Sequence, residues 1–204
     1  MDVPVPIDYH EIEQARQWAA ATNTRRPWRA EFFSTFVSAV AESSPSASTK
    51  ILELGSGPGF LAEELLKAFT GVNYVGLDVS AAMHHLARER IGAYTARSTL
   101  IERSLRDADW SDGLGDFEFV VTNQAVHELR HKRHARGLHA QVRKVLAPGG
   151  VYLVCDHFLG EAGMSNDQLY MTVDEQHEAL LDSGFSRVSR LLCKGDLVLH
   201  RAMV

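Results

Sequence analysis

The sequence predicts an α/β fold: a mostly parallel sheet covered by helices on both faces and carrying one reversed strand. Three observations lead there. From Lys50 onward, short apolar runs alternate with helix-like segments. A glycine-rich turn, Gly55-Ser56-Gly57-Pro58-Gly59, separates the first of those runs from the helix after it. Two closing apolar runs meet at a tight Lys194-Gly195 turn, and so short a connection joins only antiparallel strands.

Taken in order, residues 8–22 read as a helix with Ile12, Ala15, Trp18 and Ala19 on one face. Residues 27–42 read as a second, with Pro27 at its first position and Trp28, Phe32, Phe36 and Val40 at helical spacing. Residues 43–49 are a linker by composition. The series then runs strand 50–54, helix 60–69, strand 73–77 and helix 80–91, the last capped by Ser80. Strands follow at 99–102 and 117–122, and a helix at 131–146 ends at Ala147-Pro148-Gly149-Gly150. A strand at 151–155 precedes a helix that opens on the capping box Thr172-Val173-Asp174-Glu175 and stops at Gly184. Strands 187–192 and 197–203 close the chain. Residues 1–49 are therefore expected to form a helical cap, and residues 50–204 the main domain.

Composition narrows the function classes. The 204 residues are 45% hydrophobic and 23% charged, enough for a sizeable core and close to the globular norm. The net charge of −5 and merely local basic clusters favour a small-molecule partner over nucleic acid. Cys155 and Cys193 are far apart, which fits a reducing cytoplasm better than a disulfide scaffold. No apolar run reaches the length of a membrane span, and MDVPVPIDYHEIEQ lacks the pattern of a signal peptide. A monomer or a homodimer is expected.

Residues 51–60, ILELGSGPGF, carry the chemistry. Composition alone gives a G-x-G-x-G in roughly 0.08 of such chains, so its placement decides. Glycines between a strand and a helix free the backbone and admit a ligand beside the helix N-terminus. Asp78 ends the next strand, where parallel neighbours place their carboxyl ends together. There it faces the crevice and can accept from two ribose hydroxyls.

With these features the sequence resembles the class I S-adenosylmethionine-dependent methyltransferases of the small-molecule methyltransferase-domain type. Glu53-Leu54-Gly55-Ser56-Gly57-Pro58-Gly59 matches their first motif, Asp78 their ribose-binding acid, and Leu146-Ala147-Pro148-Gly149-Gly150 the turn before their fifth strand. The resemblance covers about residues 50–203. It implies a Rossmann-like, doubly wound sheet of seven strands with the last antiparallel, and S-adenosylmethionine as cofactor with S-adenosylhomocysteine as product. It implies cofactor contacts from Glu53, Gly55, Ser56, Gly57 and Gly59, with Val79 near the adenine and Asn123 bordering cofactor and substrate. The family's adenine-amine acid falls where this chain reads Ser104-Leu105-Arg106-Asp107. Ser104 and Leu105 join the expected contacts, and either Ser104 or Asp107 takes the amine. A nicotinamide-type G-x-G-x-x-G would need glycine at Phe60.

His127-Glu128-Leu129-Arg130-His131 spells H-E-x-x-H, which on a helix binds zinc for a metallopeptidase. Here the motif directly follows a strand and no third ligand is evident, so no metal site is assigned. In the methyl-transfer reading, His127 is the candidate catalytic residue, with an imidazole pKa near working pH suited to a general base. A non-catalytic cofactor-binding regulatory module is the other alternative. The cations Arg130, Lys132, Arg133 and Arg136 read as a solvated helix face, or as an acid- or RNA-binding patch. One of Arg25, Arg26 and Arg29 could reach a cofactor carboxylate or an acidic substrate.

Overall fold

A computed structural model describes residues 2–5 and 7–204. Met1 and Pro6, which belong to the expected 1–49 cap, lie outside the described residues. The elements run α1 (Ile12–Arg25), α2 (Arg29–Ala41), β1 (Lys50–Leu54), α3 (Phe60–Ala68), β2 (Asn73–Asp78) and α4 (Ala81–Arg90). They continue with β3 (Ser98–Glu102), β4 (Phe117–Asn123), α5 (Ala135–Val145), β5 (Leu146–His157), α6 (Val173–Asp182), β6 (Arg187–Lys194) and β7 (Leu197–Met203).

The seven strands form one sheet in the order β3-β2-β1-β4-β5-β7-β6. The pairs among β1 to β5 are all parallel, while β7 runs antiparallel to both β5 and β6. The reversed strand is thus the last in sequence but second from the edge in space. The hairpin turn is Gly195-Asp196, one residue later than expected, because Lys194 still pairs with Leu197.

Side-chain alternation sends one set of residues to each face. Ile51, Phe119, Val121, Leu153 and Leu199 pack with α2 and α3, through Phe32, Phe36, Val40, Leu61 and Leu65. Leu52, Leu54, Val120, Tyr152 and Val154 pack on the other face against Leu138, Val142 and Leu180 of α5 and α6. Helix α2 therefore contributes to the principal core, whereas α1 packs through Ala15, Ile12 and Trp18 on Met83 and Leu86 of α4.

Some boundaries differ from the sequence reading. Helix α1 starts at Ile12, not residue 8, since Tyr9 and His10 form a turn. Helix α2 starts at Arg29 behind a helical Trp28, so Pro27 precedes it. The helix expected from residue 131 begins at Ala135. Before it, Val126–Leu129 and Lys132–His134 are separate 3-10 turns, broken by Arg130 at φ 66° and an extended His131. Ala147–Gly150, expected as a turn, lies in the irregular first part of β5, where the register with β4 shifts between Phe117 and Phe119.

Both caps named in sequence are present. Ser80 accepts from Met83 N–H. Thr172 Oγ1 accepts from Glu175 N–H while Glu175 accepts from Thr172 N–H. Replacing Thr172 by Ala should cost about 1 kcal/mol and lower the melting temperature by about 2–4 °C. An unchanged melting temperature by calorimetry would show that the box does not hold α6 in solution.

Candidate active site

The carboxyl ends of β1, β2 and β4 converge on the glycine turn. All three of its glycines have positive φ, 65° at Gly55, 52° at Gly57 and 78° at Gly59. Two are close-packed. A Cβ on Gly55 would lie 2.3 Å from Ala125 Cβ, and one on Gly59 would lie 3.2 Å from Ala87 Cα. Gly57 is different, because its Cβ position has no atom within 4 Å. That open side is what a ligand lying along the turn requires.

Asp78 ties the turn to the next loop. Its Oδ2 accepts from Gly57 N–H at 2.8 Å and its Oδ1 from Ser80 N–H at 2.9 Å. Burial pushes its pKa up, and these two amides oppose that. A carboxylate has about four acceptor sites, so two remain for ligand hydroxyls. Beyond Asp78, an open cavity is lined by Val79, Glu102, Arg103, Ser104, Asp107 and Trp110, among others. Val79 is 46% exposed, an apolar surface without a protein partner. Arg103 braces the loop by donating to the carbonyls of Trp110 and Asp112. Ser104 Oγ already accepts from Arg106 N–H, and Asp107 is exposed on the rim. Leu105 is half-buried and packs on the core beneath, apart from the cavity wall.

Glu53 lies behind the turn. It is 2% exposed, and its Oε2 accepts from Tyr74 Oη at 2.6 Å. Burial pushes its pKa up to about 8, leaving it protonated at neutral pH. Ser56 Oγ and Asn123 Oδ1 are buried without hydrogen-bond partners. Buried polar atoms are rarely left so, and here both belong to residues expected to border a cofactor.

His127 stands past the end of β4, inside an ionic chain. Its Nδ1 is 2.6 Å from Asp156 Oδ1 and its Nε2 is 3.3 Å from Glu128 Oε1, while its backbone N–H donates to Asp156 Oδ2. Burial alone would depress the imidazole. The carboxylates of Asp156 and Glu128 outweigh it and raise the pKa to about 10. Both carboxyls are held down in turn by the imidazolium, against their own burial. The expected imidazole with a pKa near working pH is therefore corrected. At neutral pH His127 is a cation with both nitrogens engaged, and its resting form has no lone pair to take a proton.

The zinc reading fails on geometry. His127 sits in a 3-10 turn and His131 is extended beyond the left-handed Arg130, so the two imidazoles do not share a helix face. Among the described residues, no group of three or more His, Cys, Asp or Glu side chains could hold a metal ion. The basic patch is also internally matched: Arg130 pairs with Glu128, Lys132 with Glu175, Arg133 with Asp2 and Arg136 with Asp182.

Sequence reasoning missed several neighbours of His127. Asp156 and His157 end β5, and Tyr170 places its ring 5.7 Å from that of His127 and 5.9 Å from that of His157. Asp156 had a usable signal, an acid at a strand's carboxyl end like Asp78. Tyr170 lies within residues 157–171, which the sequence reading expects to cover the site together with the N-terminal helices, but no signal distinguishes it within that segment. Leu169, Tyr170 and Met171 line a small cavity with His127, Asp156 and Gln176.

Residues 52–152 match the family model of a methyltransferase domain. The chain is 33% identical over 81 residues to malonyl-[acyl-carrier protein] O-methyltransferase of Legionella pneumophila, covering 40% of this chain and 28% of that protein. It is 31% identical over 109 residues to trans-aconitate 2-methyltransferase of Paracidovorax citrulli, covering 53% and 39%. These matches span well under half of either relative. Among solved structures, PigF with S-adenosylhomocysteine superposes with a TM-score of 0.73 at 16% identity, over 96% of this chain and 60% of that one.

Two predictions follow from the hydrogen bonding. Asp78→Ala should lower unfolding stability by about 1–3 kcal/mol, since it strands the Gly57 and Ser80 amides. Denaturant unfolding at full m-value reads this, and wild-type stability would mean the carboxylate does not hold the turn. The His127 pKa is raised in the folded state, so its contribution is fully present below about pH 6.5 and is lost as pH rises through about 10. The melting-temperature gap between wild type and His127→Gln should narrow between pH 7 and 10. A gap that widens over that range would contradict the pairing.

Proposed function

We propose, from the premise that the chain belongs to the class I S-adenosylmethionine-dependent methyltransferases, that it transfers a methyl group from that cofactor to a small-molecule acceptor. The observation that carries the proposal is the glycine turn with its one open side at Gly57, flanked by the Asp78 carboxylate. When bound there, the cofactor supplies an electrophilic methyl group on a sulfonium.

The chain's residues divide the binding work. Asp78 accepts from the ribose hydroxyls through its two remaining lone-pair sites. Val79 offers the adenine an apolar surface. The adenine amine is a donor, so it needs an acceptor with free lone pairs. The exposed Asp107 carboxylate suits it better than Ser104 Oγ, which is already engaged by Arg106 N–H. Gly55, Ser56 and Gly59 shape the turn along the methionine part, with Asn123 bordering it and Glu53 supporting it from behind. No helix among the described residues is long and apolar enough to cross a membrane.

The acceptor enters beside Asn123 and meets His127, Tyr170 and Leu169. The N-terminal helices and the segment before α6 cover it there and set its identity. Oxygen, nitrogen and carbon nucleophiles all fit an in-line displacement, which positioning and desolvation accelerate without a dedicated base. His127, held as a cation between Asp156 and Glu128, contributes a fixed positive charge beside the acceptor.

Calorimetry tests the cofactor first. S-adenosylhomocysteine should bind and raise the melting temperature, because a ligand of the native state stabilises it. Binding of NAD, with none of S-adenosylhomocysteine at millimolar concentration, would overturn the reading. Production of S-adenosylhomocysteine against a panel of small acids, amines and phenols tests turnover. With an acceptor so found, His127→Gln should reduce turnover by less than about tenfold and leave the acid side of the pH profile unchanged, since general-base catalysis is worth about 10²–10⁴. A loss of that larger size, with an activity rise towards pH 10 abolished in the variant, would restore His127 as the base.

A further inference from the structure

Arg29 opens α2 and is 4% exposed. Its Nε and Nη1 are buried and have no hydrogen-bond partner, and the guanidinium takes part in none of the ion pairs among the described residues. The other buried arginine, Arg130, contrasts with it: it donates to Glu128, to Val3 O and to Pro4 O. Arg29 is stacked rather than paired, 5.3 Å from the Phe33 ring centroid and 5.5 Å from that of Phe60. Phe60 is the first residue of α3, directly after the glycine turn.

The acids nearby do not satisfy it. Glu53 gives its Oε2 to Tyr74 and is held protonated by burial. Asp196 is engaged by Arg26 at 3.0 Å and stands 2.9 Å from His157 Nδ1. Burial lowers the Arg29 pKa to about 10, so the side chain stays charged at neutral pH. The neighbouring Trp28 Nε1 is also buried without a partner. An unpaired buried cation is strongly unfavourable and persists where something else compensates it. A planar fork with two free donors matches a carboxylate in shape and charge.

We propose that Arg29 is the anchor of a carboxylate-binding subsite beside the glycine turn, formed between the head of α2 and the carboxyl ends of β1 and β5. This deepens the methyl-transfer reading and rests on it for the two possible sources of the carboxylate, the amino-acid end of the cofactor or an acidic group of the acceptor. In either case the N-terminal helical segment carries a ligand contact in addition to its packing role.

The test compares wild type with Arg29→Met, which keeps much of the volume and removes the charge, and Arg29→Lys, which keeps the charge and loses the fork. The probes are S-adenosylmethionine, its decarboxylated form, and malonate in the presence and absence of S-adenosylhomocysteine, all read by calorimetry. If the cofactor supplies the carboxylate, Arg29→Met should weaken S-adenosylmethionine binding by about 10- to 100-fold. Affinity for the decarboxylated form should then stay within about threefold, and Arg29→Lys should fall between. If the acceptor supplies it, cofactor affinity is unchanged and malonate binding to the loaded protein is lost in Arg29→Met. Equal affinities of wild type and Arg29→Met for S-adenosylmethionine and for malonate overturn the subsite. If the variants do not fold, wild type alone decides: no preference for S-adenosylmethionine over its decarboxylated form, together with no malonate binding, also overturns it. Should wild type bind no S-adenosylmethionine, the methyl-transfer reading fails. Malonate binding by the unloaded protein, lost in Arg29→Met, would then still uphold the anion site, and its absence would remove it.

Discussion

The two oxygens of Asp78 connect the two loops that make the cleft. One accepts from Gly57 in the turn after β1, the other from Ser80 at the head of α4. Both amides sit at places where the chain leaves a strand, and neither has a strand partner to return to. A single acid thus fixes the left-handed turn, starts the next helix and keeps lone pairs directed at the crevice. The close contact of Gly55 with Ala125 locks the same turn against the end of β4. Backbone contacts within the chain thus shape the cleft.

Charge is distributed unevenly around that cleft. Around His127 it is matched: Asp156, His127, Glu128 and Arg130 alternate in sign along one chain of contacts. Such an assembly is rigid, because removing one member leaves its neighbour buried and unpaired. It holds the ring in one orientation as an imidazolium, with both nitrogens protonated. On the glycine-turn side the charge is unmatched, with a protonated Glu53, an unpaired Arg29 and the orphan oxygens of Ser56 and Asn123.

The sequence by itself determined the succession of strands and helices, the reversal of the last strand, and the glycine turn with its neighbouring acid. The period of the apolar residues, the glycines between β1 and α3, Ser80 as a cap and the Thr172–Glu175 box are local signals, each acting within one turn of chain. The reversal of β7 was legible for the same reason, since a two-residue turn permits no other direction. Asp78 was legible as a cleft residue because strand ends in a parallel sheet fall side by side. Its second task of holding Gly57 was not, because that contact spans 21 residues.

Tertiary structure alone decided what depends on burial and on distant partners. Arg25, Arg26 and Arg29 are equivalent in a composition count, yet Arg25 is exposed, Arg26 pairs with Asp196 and Arg29 is enclosed without a partner. The H-E-x-x-H segment was legible as following a strand, but the left-handed Arg130 that breaks it, whose side chain donates to Val3 and Pro4 more than a hundred residues away, was not. The charge of His127 was set by Asp156 across 29 residues. A pKa is a property of the surrounding dielectric and charges, and these exist only once the strands that carry them have been brought together.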